Sequence, residues 1–343
     1  MGAIGGVYEI AIGTRDARAT IDYWTQFGYT EGVRGQLDAG ATRALYGVDS
    51  PLSSVRLRHQ NADHGLIRVM QWQRPLGDGL AMHLMRARGN RWAAMLTTDV
   101  LTAANHAEVA RAAGRPIAFL GPFWDTIYAP DTPIEPFRDR PMGVRELMLI
   151  RPTSRQFLFQ RFNYALPYYG AVAASAPIPT SQVTHVGLVI QDDSRDTMRF
   201  YDEVLGLLRI GDKDGESTYE NSPTGRQVFE LAPGERYFSQ NFDDPRSSRS
   251  DRVAVRSGRL KIIRYPESLS VPDLRDRSRP GHLGMSLYTY AVRDIAAYHG
   301  RVAASTATAV TAIASNEFGE RSFSFTAPDG YVWTLVEYRQ PTE

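Results

Sequence analysis

Four times along the chain, a short run of alternating apolar residues leads through a polar turn into a stretch with helical spacing. The first runs from Val7 to Tyr29 as VYEIAIGTRDARATIDYWTQFGY, and Thr184 to Leu208, THVGLVIQDDSRDTMRFYDEVLGLL, repeats its order closely. Arg91 to Gly114 and Gly281 to Gly300 repeat it more loosely. Aligning the opening strands sets Tyr8, Trp92, His185 and His282 at one equivalent position, at spacings of 84, 93 and 97 residues. Such regularity points to duplication.

Further strand-like runs follow each opening unit, punctuated by Gly, Pro and Asp. They are Ser54 to Arg58 and Leu66 to Trp72, Glu146 to Ile150 and Gln156 to Phe162, then Arg226 to Leu231 and Gly258 to Tyr265. The fourth unit closes with Ser322 to Thr326 and Tyr331 to Tyr338, joined by a Pro328-Asp329-Gly330 turn. One unit is therefore a strand, a helix and about three more strands. The stretch Pro167 to Thr180 is rich in Pro, Gly, Ala and Ser without periodicity, and reads as a boundary.

The βαβββ unit, the His on the first strand and the Pro-Asp-Gly turn into a Glu-bearing strand together resemble the vicinal oxygen chelate superfamily. That family includes glyoxalase I, the fosfomycin- and bleomycin-resistance proteins and the type I extradiol dioxygenases. The resemblance covers nearly the whole chain. It implies an α+β fold of four βαβββ modules paired into two domains, each a curved, mostly antiparallel sheet forming a cup. Residues 1–166 would be a structural N-terminal pair, 167–180 a linker, and 181–343 the C-terminal pair carrying the active site. Because the superfamily isomerises, opens epoxides, cleaves rings or simply binds on one scaffold, fold alone does not choose the reaction.

His185 and His282 open two strands at equivalent repeat positions, so pairing of the last two units would bring both imidazoles into one cup. Two neutral imidazoles and a carboxylate form a facial triad suited to Fe(II), with Mn or Zn as alternatives. By resemblance the carboxylate comes from the last strand, where Glu337 lies 55 residues after His282. The superfamily's usual carboxylate position, four residues after the turn Gly, is here Thr334. Three readings stay open: a bulge turns Glu337 inward, two His with water or substrate hold the metal, or the site no longer binds metal. Lys261 stands where lyase relatives carry another ligand, and would repel a cation or neutralise an anionic substrate. Tyr288, with Tyr290 and Tyr201, is a candidate acid–base partner.

Two rivals follow. In one, His185 and His282 act as acid and base while Thr334 and Lys261 hold an oxyanion, without metal. In the other the cup only binds a small molecule. His59, His64, His83, His106 and His299 lack metal spacing and read as surface or packing residues. The long insertion from Gly121 to Met142 reads as a homodimer contact, and the charged run Arg246 to Arg252 as a solvated loop.

Composition narrows the field. With 39 Lys plus Arg against 38 Asp plus Glu, the chain has no overall basic field for nucleic acid. The absence of Cys excludes disulfides, thiolate catalysis and thiolate-held metal clusters. No long apolar run or secretory leader is evident, so the expectation is a cytoplasmic protein with no membrane contact and a small-molecule substrate.

Overall fold

The computed structural model describes residues 4–128, 133–134, 137–138, 140–192, 196–210, 217–218, 222–248 and 250–338. Parts of the insertion after Gly121 and of the Arg246 to Arg252 run lie outside the described residues; Ala118–Tyr128 is itself a strand. The repeat is real at the level of local structure. Asp16, Asp99 and Asp294 each end an opening strand and cap the helix that follows, their carboxylates accepting from the backbone N–H of Ala19, Thr102 and Ala297. The helix Ala17–Thr25 buries Thr20, Ile21 and Trp24 on one side, the stripe its spacing predicts.

Four βαβββ modules form two curved mixed sheets, the expected fold class. Their pairing differs from the expectation. One sheet orders its strands Ala314–Ser315, Arg321–Thr326, Val332–Glu337, Gly284–Val292, Ile4–Thr14, Leu66–Trp72, Leu52–His59 and Tyr29–Leu37. The other runs Leu208–Arg209, Phe238–Asp243, Arg259–Tyr265, Thr180–Gln191, Arg91–Thr97, Ser154–Phe162, Met142–Arg151 and Ala118–Tyr128. The first module therefore pairs with the fourth and the second with the third, through antiparallel seams. The halves 1–166 and 181–343 each give one module to each sheet, which corrects the proposed domain division.

The physical reason lies in the connections. The segment after the first module runs beside the segment after the third. Leu76 N–H donates to Gly281 O at 2.8 Å, Leu283 N–H to Gly77 O at 3.0 Å and Arg88 N–H to Pro272 O at 2.9 Å. Both crossovers pass from sheet to sheet together, so each satisfies the other's backbone. The stretch Pro167 to Thr180 instead joins two modules of one sheet and is no domain boundary.

Between the sheets lies a continuous apolar layer that includes Ile10, Ile12 and Tyr288 from one, Met95 and Leu188 from the other, and Trp24, Ala103 and Tyr298 from the helices. Tyr288 bolts the sheets together, its hydroxyl 2.8 Å from Trp92 O and 2.9 Å from Gly187 O. Burial pushes its phenol far up, out of the acid–base range. Its place is structural, which corrects its candidacy in catalysis.

Candidate functional site

Each sheet presents a concave face, and register identifies the equivalent positions on both. Ala11, Ala94, Gly187 and Thr289 sit opposite Arg68, Phe157, Lys261 and Thr334 on the parallel closing strand of their module. Two residues before them, on the same face, stand Glu9, Trp92, His185 and Leu287. Glu9, Trp92 and Leu287 also lie at one distance, seven residues, ahead of the capping Asp16, Asp99 and Asp294. The equivalent of His185 in the fourth module is therefore Leu287, and that of Trp92 in the first is Glu9. Alignment on His282 and Tyr8 is out of step, because Gly281 to Leu283 belong to the crossover and the strand begins at Gly284.

His185 thus stands on one sheet and His282 in the crossover leading to the other, and they share no cup. His282 sits beside Gly77, its Nδ1 buried without a hydrogen-bond partner among the described residues. Burial, then Arg277 and Arg279, hold its pKa down. Thr334 is buried in the other cup, 3.1 Å from Ser324 Oγ. Glu337 follows an unbroken register on Val332–Glu337, so no bulge turns it, and its carboxylate accepts from Arg321 Nη1 at 2.9 Å.

The cup of the first and fourth modules is filled. The helix Ala39–Tyr46 lies over it, with Leu45, Val48 and Trp72 in a small core. Beside them a buried ionic network occupies the site. Glu9 pairs with Arg68 and with Arg56, the latter at 2.8 Å. Arg56 forks onto Glu320 at 2.8 and 2.7 Å, and Tyr46 donates to Glu317 at 2.7 Å. Glu9 and Arg68 have fully buried side chains.

The cup of the second and third modules is open, holding a cavity of about 680 Å³, a volume that suits a small molecule. Trp92, Phe157, His185 and Lys261 are its equivalent four, joined by Glu146 and Arg259. The short helix Pro223–Val228 closes one side, where its capping Ser222 donates to Asp125 at 2.7 Å. Glu146 is half-buried on Met142–Arg151, in phase with Val144, Met148 and Ile150. Burial raises its pKa; Lys261 pulls the other way, Asp125 adds to the rise, and Thr224 opposes it. In a flat sheet Glu146 and Lys261 would be four strands apart, roughly 19 Å. Both line one cavity, so the sheet curls enough to bring them to a common space.

His185 is held neutral: burial, then Arg259, Lys261 and Arg161, drive its pKa well below the ordinary imidazole value. Its Nδ1 lies 3.1 Å from Thr184 Oγ, which is 3.1 Å from Ala94 O. A hydroxyl that gives its one proton to Ala94 O accepts at Nδ1, leaving Nε2 as the acceptor. Trp92 stands edge-on to His185 at 5.5 Å and lies flat on Gly187, where an added Cβ would fall 1.9 Å from Cε2. Gly187→Ala is expected to expel the indole and destabilise the protein by about 1–3 kcal/mol; urea unfolding and tryptophan emission measure both effects.

Neither cup offers the donor set of a divalent cation. One supplies Glu9 already bound by two guanidiniums, with Arg68, Leu287 and Thr334. The other supplies one imidazole among Trp92, Phe157 and an ammonium at its equivalent positions, and the Glu146 and Asp125 carboxyls that also line it do not gather with His185 into a group that could hold a metal. No cluster of three His, Asp or Glu exists among the described residues. The proposed Fe(II) triad of His185, His282 and Glu337 is not assembled. Elsewhere His64 bridges Asp63 at 2.5 Å and Ser257 at 2.6 Å; Ser257 is 1% exposed, so this chain ties the two sheets together and presents no nucleophile. Sequence reasoning missed Glu146 and Arg259. The available signal was a lone acid or base on the apolar phase of a strand, as in MGVRELMLIR and RLKIIRY.

Residues 182–335 match the family model of the Glyoxalase/Bleomycin resistance protein/Dioxygenase superfamily. Among solved structures the chain is similar to glyoxalase I from Zea mays, with 11% identity, 97% of this chain and 92% of that one covered, and a TM-score of 0.51. It is also similar to a putative dioxygenase from Bacillus subtilis, with 9% identity, 98% and 86% coverage, and a TM-score of 0.52. At these identities the likeness is one of fold. No curated protein matches the chain. No helix of the described residues is long and apolar enough to cross a membrane.

Proposed function

We propose, from the match of residues 182–335 to the Glyoxalase/Bleomycin resistance protein/Dioxygenase superfamily and from the four-module fold, that the chain is a proton-transfer enzyme of the isomerase type. It uses its own side chains in the open cup. The observation that supports this reading is that a carboxyl of raised pKa and an ammonium line one cavity, the ammonium at the position where lyase relatives carry another ligand. Glu146 as carboxylate takes a proton from the carbon beside a carbonyl. The C–H electron pair becomes the second bond between that carbon and the carbonyl carbon, the carbonyl π pair moves onto oxygen, and the Lys261 ammonium neutralises the enolate oxygen. Glu146 then returns the proton to the opposite face of that carbon or to the far carbon of a conjugated enolate, which completes the isomerisation. His185 accepts a hydrogen bond from substrate through Nε2 and keeps it oriented. This assignment replaces His282 and Thr334, which the fold puts elsewhere.

The test is deuterium wash-in, followed by NMR, on chelator-treated protein with a panel of small enolisable aldehydes, ketones and 2-oxo acids. Exchange at the carbon next to the carbonyl is expected, unchanged by adding Fe(II), Mn(II) or Zn(II). Exchange only after a metal is restored overturns the reading in favour of a metal enzyme. Saturable ligand binding with no exchange under any condition overturns it in favour of a binding protein.

A further inference from the structure

The charged groups lining the open cup stand in two opposed pairs. Asp125 and Glu146 come from the neighbouring strands Ala118–Tyr128 and Met142–Arg151, where the pairing of Phe123 with Glu146 and of Asp125 with Val144 puts both carboxyls on one face. Arg259 and Lys261 share a face of Arg259–Tyr265, with three strands between them and the acids. Two carboxyls thus look across the cavity at two cations. Each of these groups already has a partner in the protein. The Arg259 guanidinium donates to the buried Asp243 at 3.0 Å, Lys261 and Glu146 act on each other electrostatically, and Asp125 accepts from Ser222 at 2.7 Å. His185, held neutral, adds no charge.

Rings supply much of the remaining wall. Phe157 stacks on Phe229 at 6.3 Å, Phe229 meets Tyr237 edge-on at 5.1 Å, and all three line the cavity. We infer that the open cup selects an uncharged aromatic ketone, its carbonyl oxygen toward Lys261, its acidic C–H toward Glu146 and its ring against Phe157, Phe229 and Tyr237. A charged head would leave water for groups that are already paired, and that desolvation goes uncompensated. A carbonyl dipole needs no counter-ion and aligns with the field between the basic and acidic sides. The reaction keeps the same balance. As Glu146 takes the proton its negative charge passes to the enolate oxygen, so Lys261 exchanges one anionic partner for another and the net charge of the cavity is constant. An anionic substrate would instead place a second negative charge beside one ammonium. Aromatic walls in turn favour a flat ring over a puckered one. The inference rests on the proton-transfer reading for its enolisable carbonyl, while recognition itself is measured without turnover.

Phenylacetone, phenylpyruvate, phenylalanine and 2-phenylethylammonium carry one benzyl group beside an uncharged, an anionic, a zwitterionic and a cationic head. Titrated by calorimetry and tryptophan quenching, phenylacetone is expected to bind about ten- to a hundredfold more tightly than the other three, and several-fold more tightly than cyclohexylacetone. Its affinity is expected to hold as salt rises. Glu146→Gln leaves the Lys261 ammonium without its counter-charge, and is expected to raise the affinity for phenylpyruvate about tenfold while phenylacetone binds as before, which shows that the cup is folded. Lys261→Met is expected to do the same for 2-phenylethylammonium. Failure of phenylacetone to bind, equal or tighter binding of cyclohexylacetone or of any charged probe by the natural protein, or charged-probe affinities that do not move in these variants overturns the proposal. Ketone selectivity without deuterium exchange upholds the recognition and removes the proton-transfer reading; exchange with phenylpyruvate but not with phenylacetone does the reverse.

Discussion

Glu146→Gln is expected to slow deuterium exchange by about 10²–10⁴-fold, the usual contribution of a positioned general base, while ligand binding stays near that of the natural protein. The amide keeps the shape of the carboxyl and loses its basicity. The pH profile separates this role from a structural one. Burial raises the pKa of Glu146, so the acid limb of kcat/KM is expected above the ordinary carboxylate range, activity falling as the pH drops and the base protonates. Lys261 pulls that pKa down, so in Lys261→Met the residual activity is expected to show its acid limb at still higher pH. An unmoved limb, or a Glu146→Gln variant with near-normal exchange, excludes Glu146 as the base.

The second large effect concerns the filled cup. Glu9 is the counter-ion of both Arg68 and Arg56, and Glu9 and Arg68 are fully buried. Glu9→Ala is expected to cost about 3–5 kcal/mol, the usual price of leaving a buried charge without its partner. Denaturant unfolding of the two chains side by side measures it. Replacing Glu9, Arg56, Arg68, Glu317 and Glu320 together by apolar residues of similar volume is expected to cost much less, because the desolvation penalty then disappears with all five charges. Acid acts on the same network. Burial opposes ionisation of Glu320, yet its bonds to Arg56 prevail and hold its pKa below the usual value. A depressed carboxylate stabilises the fold above its unfolded pKa, and that stability is lost as the pH falls through the folded one.

The filled and open cups explain how a duplicated fold comes to have one candidate site. In the first sheet the equivalent positions hold an ion pair and two residues buried in the fold's own packing. In the second they hold His185 and Lys261 beside rings that leave room. Nothing at the level of a single module distinguishes them, since both begin with the same strand, capping Asp and helix.

Much of the fold was legible from the pattern of residues. Period-two runs, capping aspartates and the turn at Pro328-Asp329-Gly330 are local physics, encoded within a few residues of where they act, and they define four βαβββ modules. Lys261 was legible from its place, where lyase relatives carry another ligand, and His185 as a histidine on the first strand of its module. Which module pairs with which was not. That choice rests on two crossovers satisfying each other's backbone and on apolar faces meeting across more than 270 residues, from Ile4 with Val292 to Gly13 with Gly284, contacts that no local pattern carries. The same long-range pairing separated His282 from His185, set Glu146 opposite Lys261, and buried Tyr288 between the sheets. The sequence by itself determined the modules and the chemistry available on each strand. Tertiary structure alone decided which of those groups share a cavity, because a side chain's surroundings in a sheet are set by the neighbouring strand, and that strand comes from elsewhere in the chain.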